Sequence, residues 1–493
     1  MNYGYKKTDF YNNIQSYIRF KTPTVLLQNI ANGTNSPLEI LKNKFEEIVK
    51  ENNKDKLLNY EHQIQMFCSI LKSSIRDYVY FITEKKVLED IKHLLNNYID
   101  NLKDVSLKYR QLRTIITVPT ISDKEFIKYC FGDEYISLTT EFYSYELYEY
   151  IEKSSLFDDE FKKFYQKKLI EIVQFETNYR KQHNYTSIKE KNSDNEEFTY
   201  RKSVLKKYIA SILYLNTRIK EEGKFIEQLL YSIAAGVAMI FATGAAFLSQ
   251  QTYGNLTYPF FVALVVSYMF KDRIKELMRI YFNSKIHKNL FDHKTNIYSE
   301  NKNKLGISKE RVTFLKKNHL SPSIIKVRNI DHITELDNRS GSEDVIFYRK
   351  YIKIHSNEFK KYYNNFPMEG INDIIRFSIT DFLKRMDNPE VLLHYYEDEN
   401  YKRIVADKVY HVNMIIKYKL ENEESFKRFR IVLNRNGIKR IEKIEKIGWY
   451  FLCRDKACLV STDIFFIFTI RQQNSLNFIP NLHDFFLKTW KNN

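Results

Sequence analysis

Glycine and proline are scarce in this chain, 12 and 8 among 493 residues, and cysteine and tryptophan are scarcer still at 4 and 2. So few breakers suit long helices and well-filled cores rather than loop-rich architecture. Cys68, Cys130, Cys453 and Cys458 are too few and too scattered for a disulfide framework, which excludes the small disulfide-stapled class and fits a reducing compartment. No glycine-rich phosphate loop, HExxH, CxxC pair or GxSxG occurs, so the common nucleotide, metalloprotease, redox and hydrolase chemistries leave no signature and no cofactor is expected. The first residues, MNYGYKKTDFYNNIQ, carry no apolar h-region, so any membrane insertion is expected to rely on an internal segment.

The most informative absence is of charge. Although 28% of all residues are charged, none from Gln228 to Phe270 is. A first arm, Leu229 to Leu248, has the length, about 30 Å as a helix, that matches a hydrocarbon core. A second arm is shorter: its strictly apolar part, Tyr258 to Phe270, reaches only about 20 Å, with Lys271, Arg273 and Lys275 placed to snorkel at its end. Between them lies the uncharged polar loop Ser249 to Thr257, with Gly254 and Asn255 suited to a turn, Thr257 to an N-cap and Pro259 to a first helical turn. The expectation is a hairpin of two transmembrane helices, at about 229–248 and 255–271. Arg218, Lys220 and Lys224 precede it, Lys271, Arg273, Lys275 and Arg279 follow it, and the loop has no cation. The positive-inside rule then puts both flanks in the cytoplasm of an inner membrane.

Within the first arm Ala234, Ala238, Ala242 and Ala246 recur every fourth residue, with Gly236 and Gly244 beside them. Such a stripe permits close helix contact, either between the two arms or between copies in a homo-oligomer. No ionisable residue lies in the arms, which argues against ion-coupled transport. The turn Tyr253-Gly254-Asn255 resembles the Gly-Met-Asn loop of CorA-type magnesium channels over those three residues only. The Met is missing and more than two hundred residues follow the second arm, so the resemblance implies no activity.

Outside the hairpin, apolar spacing of three and four predicts bundle helices from Pro37 to about Asn52, Lys56 to Thr83 and Lys85 to Arg113. Ser122 ahead of Asp123-Lys124-Glu125 marks another helix start, and further helices are expected over Glu141 to Glu152 and Asp158 to His183. Asn184 to Glu197 reads as a linker, and from about Phe198 one long helix is expected to run into the membrane. The second arm should continue as an amphipathic helix to about His287. Asn301 to Lys317 and Ile330 to Asp344 read as connections. Beyond them the period becomes two, predicting strands over Val345 to Ile354, Val409 to Leu420, Ser425 to Asn434, Trp449 to Cys453 and Asp463 to Arg471, with Asn436-Gly437 a turn. A helix over Gly370 to Met386 and a closing helix over Leu482 to Trp490 complete the reading.

The fold class expected is therefore a membrane protein: an α-helical hairpin, a mostly α N-terminal cytoplasmic domain (1–197), stalks and hairpin in 198–290, and an α+β C-terminal cytoplasmic domain (320–493) with an antiparallel sheet. Of the net charge of +17, residues 271–493 carry +14, so the basic excess begins at the membrane exit. That favours an anionic lipid bilayer as partner; no nucleic-acid signature is present, so nucleic acid is not an expected one.

Three clusters remain as candidates for chemistry. Cys453 and Cys458 in CRDKAC read as strand residues, with a redox pair or a metal site as alternatives. His287 and His293 in HKNLFDH do not share one helical face with Asp292 and read as solvated, and Glu397-Asp398-Glu399 reads as a solvated turn or a cation or basic-partner site. The functional expectation is a non-enzymatic inner-membrane scaffold, sensor or effector held by the hairpin. An oligomeric channel or permeabilising protein is the alternative, and a tethered enzyme or nucleic-acid binder the third reading.

Overall fold

The computed structural model describes residues 6–473 apart from 34, 51–52, 120, 190–193, 255–256, 287–290, 300–302, 317–318, 330–343, 356–365, 367–369, 421–422 and 445–461. The strand expected at Trp449 to Cys453, the Cys453–Cys458 pair, the closing helix and His287 lie outside the described residues. The chain divides into two compact units, one of residues 17–215 with 360–373, the other of residues 1–16, 216–359 and 374–493. Along the chain α1 (Lys7–Asn13) and β1 (Ile14–Phe20) come first.

The first unit is mostly helical, built from α2 (Pro37–Lys50), α3 (Lys54–Glu84), α4 (Leu88–Gln111), α5 (Arg113–Ile116), α6 (Asp123–Lys153), α7 (Asp159–Gln182) and α8 (Glu196–Ala210). On α3 the apolar spacing does what it predicts: Ile64, Phe67, Leu71 and Ile75 are buried in one cluster with Tyr98, Tyr109 and Tyr129. The two helices expected in 123–153 are one. From Gly132 to Glu141 every residue of α6 is buried, so that stretch has no solvent face and its sequence shows no clear 3.6 period. Ser122 holds the N-cap position, and its hydroxyl donates to the Glu125 carboxylate. Charges inside this core are paired: Arg110 with Glu176 (2.5 Å) and Asp133 (3.3 Å), Arg180 with Glu141, and Arg201 with Glu134 (2.7 Å). Burial dominates at Asp133 and raises its pKa, against the hydrogen bond from Tyr179 and the Arg110 charge.

The second unit is organised by an eight-stranded antiparallel sheet. Its strands are β2 (Asn216–Glu221), β3 (His293–Tyr298), β4 (Lys304–Lys316), β5 (Asp344–Ile354), β9 (Val409–Leu420), β10 (Glu423–Asn434), β11 (Gly437–Ile444) and β12 (Thr462–Gln473). Their order is β11-β10-β9-β12-β5-β4-β3-β2, so the last described strand lies in the middle and joins two meanders. The period-two stretches at Val345, Val409, Ser425 and Asp463 all become strands. The Arg435-Asn436 turn is followed by Gly437 at φ 142°, a conformation that favours glycine.

Three expectations fail here for one reason, long-range pairing. Instead of a continuous helix from Phe198, the chain leaves α8 and forms β2, whose alternating Asn-Thr-Arg-Ile-Lys-Glu pairs with β3 from Asn216↔Tyr298 to Glu221↔His293. The segment 301–317, expected as a connection, contains β4. The segment 370–386, expected as a helix, contains β6 (Ile371–Phe377), paired with β1 in a two-stranded sheet, and only the short α12 (Thr380–Leu383).

One sheet face is packed by Phe10 of α1 with Val312, Ile346, Tyr348, Tyr410, Val412 and Leu433, supported by Phe377 and Phe382. On the other, α11 (Pro322–Arg328) places Ile324 against Val345 and Ile415. A separate ribbon, β7 (Glu390–Glu397) with β8 (Asn400–Asp407), turns through Asp398 and Glu399 at φ 54° and 58°. There Lys402 pairs with Glu397 (3.0 Å) and Asp398 (3.4 Å), so the acidic triplet is a hairpin turn.

Candidate functional site, the helical hairpin and its root

Between β2 and β3 the chain makes two long helices, α9 (Gly223–Tyr253) and α10 (Tyr258–Ile286), packed as an antiparallel hairpin. Gly254 ends α9 with φ 75°, its N–H donating to Gln250 O (3.0 Å). Thr257 N-caps α10 by its backbone while its hydroxyl donates back to Tyr253 O (3.1 Å), so one residue serves both helix ends. Among the described residues α9 alone, over Glu227–Tyr253, is long and apolar enough to cross a membrane.

The alanine stripe is the seam of this hairpin. Ala234, Ala238 and Ala242 are 0%, 1% and 8% exposed, Ala246 is half-buried, and Ser267 of α10 donates its hydroxyl to Ala242 O (3.1 Å). Gly236 and Gly244 lie on the other side, exposed, with no neighbouring atom within 4 Å of the place a Cβ would take. The alanines line the contact between the arms, one of the two uses the spacing allows. The six small residues therefore form two surfaces.

Large side chains show the opposite pattern. Ile240 (75%), Phe247, Leu248, Phe261 and Met269 are exposed, as are Tyr253 and Tyr258 at the tip. Small residues inside and large apolar residues outside is the reverse of a water-soluble hairpin.

Two contacts set the helix register: Ser267 against Ala242, and the Arg279 guanidinium 4.4 Å from the Tyr231 ring centre. Lys271, Arg273, Lys275 and Arg279 therefore lie beside α9 residues 231–239. Lys271 places its ammonium 3.5 Å from the ring centre of Tyr268, Arg273 is exposed, and Lys275 is half-buried. Both helices are free of charge only over the distal half, where α10 contributes 258–270, about 20 Å of rise.

The root is bound to the sheet by polar contacts that sequence spacing did not reveal. The Glu222 N–H donates to Asp292 O (3.3 Å), and the Asp292 N–H to Glu310 O (2.8 Å). The Asp292 carboxylate accepts from Lys7 Nζ (2.5 Å), the Tyr11 hydroxyl (2.8 Å) and the Val312 N–H (2.9 Å), while the His293 ring meets Tyr11 edge-on at 4.4 Å. Asp292 and His293 are thus structural rather than solvated. Burial, then the Asp292 charge, raises the Tyr11 pKa. Nearby, the fully buried Lys350 ammonium meets Glu310 (3.1 Å) and the Ser16 hydroxyl (2.5 Å). No local pattern announces this role, since the partners Lys7 and Tyr11 lie some 280 residues away.

These contacts tie the start of α9 to β3 through Glu222 and Asp292, and Asp292 to α1 through Lys7 and Tyr11. Among the described residues no group of three or more His, Cys, Asp or Glu is placed to hold a metal. No known family, curated protein or solved structure matches the chain.

Proposed function

We propose that this is an integral inner-membrane protein in which the α9–α10 hairpin inserts tip-first and anchors the helical unit and the sheet unit at the cytoplasmic face, where they act as a scaffold, sensor or effector. The observation that supports this most is the inside-out hairpin, with alanines at its seam and large apolar side chains facing outward. Leaving one Leu or Phe side chain in water forgoes about 1.5–3 kcal/mol, so a row of them is stable against lipid and costly against water. The length deficit of α10 is closed by snorkelling of Lys271, Arg273 and Lys275 and by local thinning of the bilayer. Rooting both arms in adjacent strands turns the anchor into a lever on the sheet. Carbonate extraction of membranes containing the full chain tests the proposal: the protein stays in the pellet, and its release would refute insertion.

A second reading, an oligomeric channel or permeabilising protein, draws on Gly236 and Gly244, whose exposed surface remains available to another copy. Crosslinking in detergent to a defined ring, with conductance in a planar bilayer, supports it. A monomer without conductance refutes it.

A further inference from the structure

The half-sheet β2–β5 carries an arrangement of charge that its own fold does not favour. Lys220 stands directly opposite Lys294, Lys294 directly opposite Lys309, and one step on Arg311 stands directly opposite Arg349. Side chains opposite one another in an antiparallel pair approach to about 5 Å at Cβ, and like charges there are destabilising. Beside the three ammonium groups of the first row, Glu222 pairs with Lys309 and lies 4.0 Å from Lys294. Asp463 of β12 takes the register position beyond Tyr351 in the same row. Phe291 packs among these cations, 5.6 Å from the Lys309 ammonium and 5.2 Å from the Arg349 guanidinium. At Arg311 burial, reinforced by Arg349, outweighs the Asp292 charge and lowers the pKa.

We infer that this basic face binds the phosphate groups of anionic phospholipids at the root of the hairpin. The source of the phosphate follows from position and rests on the membrane insertion proposed above. All six residues of β2 are exposed, and α9 begins three residues after Lys220. The uncharged run starts five helical residues later at Gln228, a rise of about 8 Å, close to the screening length in physiological salt. The row of ammonium groups therefore lies within reach of the headgroup layer, and a phosphate set between Lys220, Lys294 and Lys309 offsets the repulsion the register imposes.

The experiment uses the full chain in phosphatidylcholine vesicles, with carbonate resistance scored first. Acetylation rates of Lys220, Lys294 and Lys309 are then read by mass spectrometry with and without phosphatidylglycerol, with Lys103 of the helical unit as reference. Phosphatidylglycerol is expected to slow the three lysines about fivefold and leave Lys103 unchanged. Lys294→Gln removes the middle charge. It is expected to raise the melting temperature in phosphatidylcholine and to abolish the phosphatidylglycerol effect on Lys220 and Lys309. Unchanged rates in carbonate-resistant protein would overturn the lipid assignment alone. Equal protection by inorganic phosphate, or by a single-stranded oligonucleotide, in phosphatidylcholine would also overturn it, and would name free phosphate or nucleic acid instead. Release by carbonate would overturn the membrane reading and the lipid assignment together.

Discussion

Replacing Ala238 by leucine and, separately, Gly236 by leucine places the same side chain on two sides of α9, and the structure predicts opposite outcomes. Ala238 is 1% exposed against α10, so three added carbons must displace the second helix or leave their rotamer wells, at a cost of about 1–3 kcal/mol. Gly236 meets nothing within 4 Å of a Cβ position, and exchanging glycine for leucine in a helix gains about 0.8 kcal/mol of propensity. Within one protomer Ala238→Leu is therefore destabilising and Gly236→Leu neutral or stabilising. Thermal unfolding of the full chain in detergent, followed through helix content, measures both. If copies associate through the glycine surface, Gly236→Leu also removes the crosslinked oligomer, whereas Ala238→Leu lowers stability without selecting that contact. A destabilising Gly236→Leu in a strictly monomeric protein, or a neutral Ala238→Leu, would refute the assignment of the alanines to the seam.

Three further outcomes follow from particular side chains. Gly132→Ala in α6 should lower stability by about 1–3 kcal/mol despite the helix propensity of alanine, because its Cβ meets the Tyr109 hydroxyl and lies 2.8 Å from Ile64 Cγ2; denaturant midpoints check the sign. Lys72 has its pKa pushed down to about 8 by burial and then by Lys206, Arg76, Arg19 and Lys202. Its depressed folded pKa means that this contribution to stability is present above the unfolded pKa of about 10.4 and lost as pH falls through 8. Lys72→Met should therefore raise the melting temperature at pH 7, and the advantage should shrink as pH rises from 8 toward 10.5; an advantage independent of pH would contradict it. Asp292→Asn should cost about 1–3 kcal/mol by taking the charge from Lys7 and Tyr11, and should raise proteolytic cleavage near α1; unchanged stability would show that the root does not depend on this carboxylate.

What was legible in the sequence depended on how local its cause is. The helices α2, α3, α4 and α7 announce themselves because one face is buried and the period survives, and the hairpin because charge is missing from it. Strands β5, β9 and β10 show as alternation on half-covered faces. The helix α6 reads as two because burial on all sides leaves no period from Gly132 to Glu141. β2, β4 and β6 leave no local signal because their strand character comes from partners far along the chain, as when Asn216 pairs with Tyr298. The hairpin's root is hidden for the same reason, since the Asp292 carboxylate is held by Lys7 and Tyr11, some 280 residues away. Small-residue spacing located the seam but did not separate Ala238 from Gly236, because facing direction is set by the second helix.

The central claim is that the hairpin crosses the bilayer with its polar loop on the far side. Thr252→Cys, an exposed position in the last turn of α9, tests it most directly through a membrane-impermeant maleimide applied to sealed right-side-out and inverted vesicles. Insertion as proposed, with the basic flanks inside, predicts labelling of Cys at 252 in right-side-out vesicles only. Labelling in inverted vesicles only, or equal labelling in both, would contradict the claim.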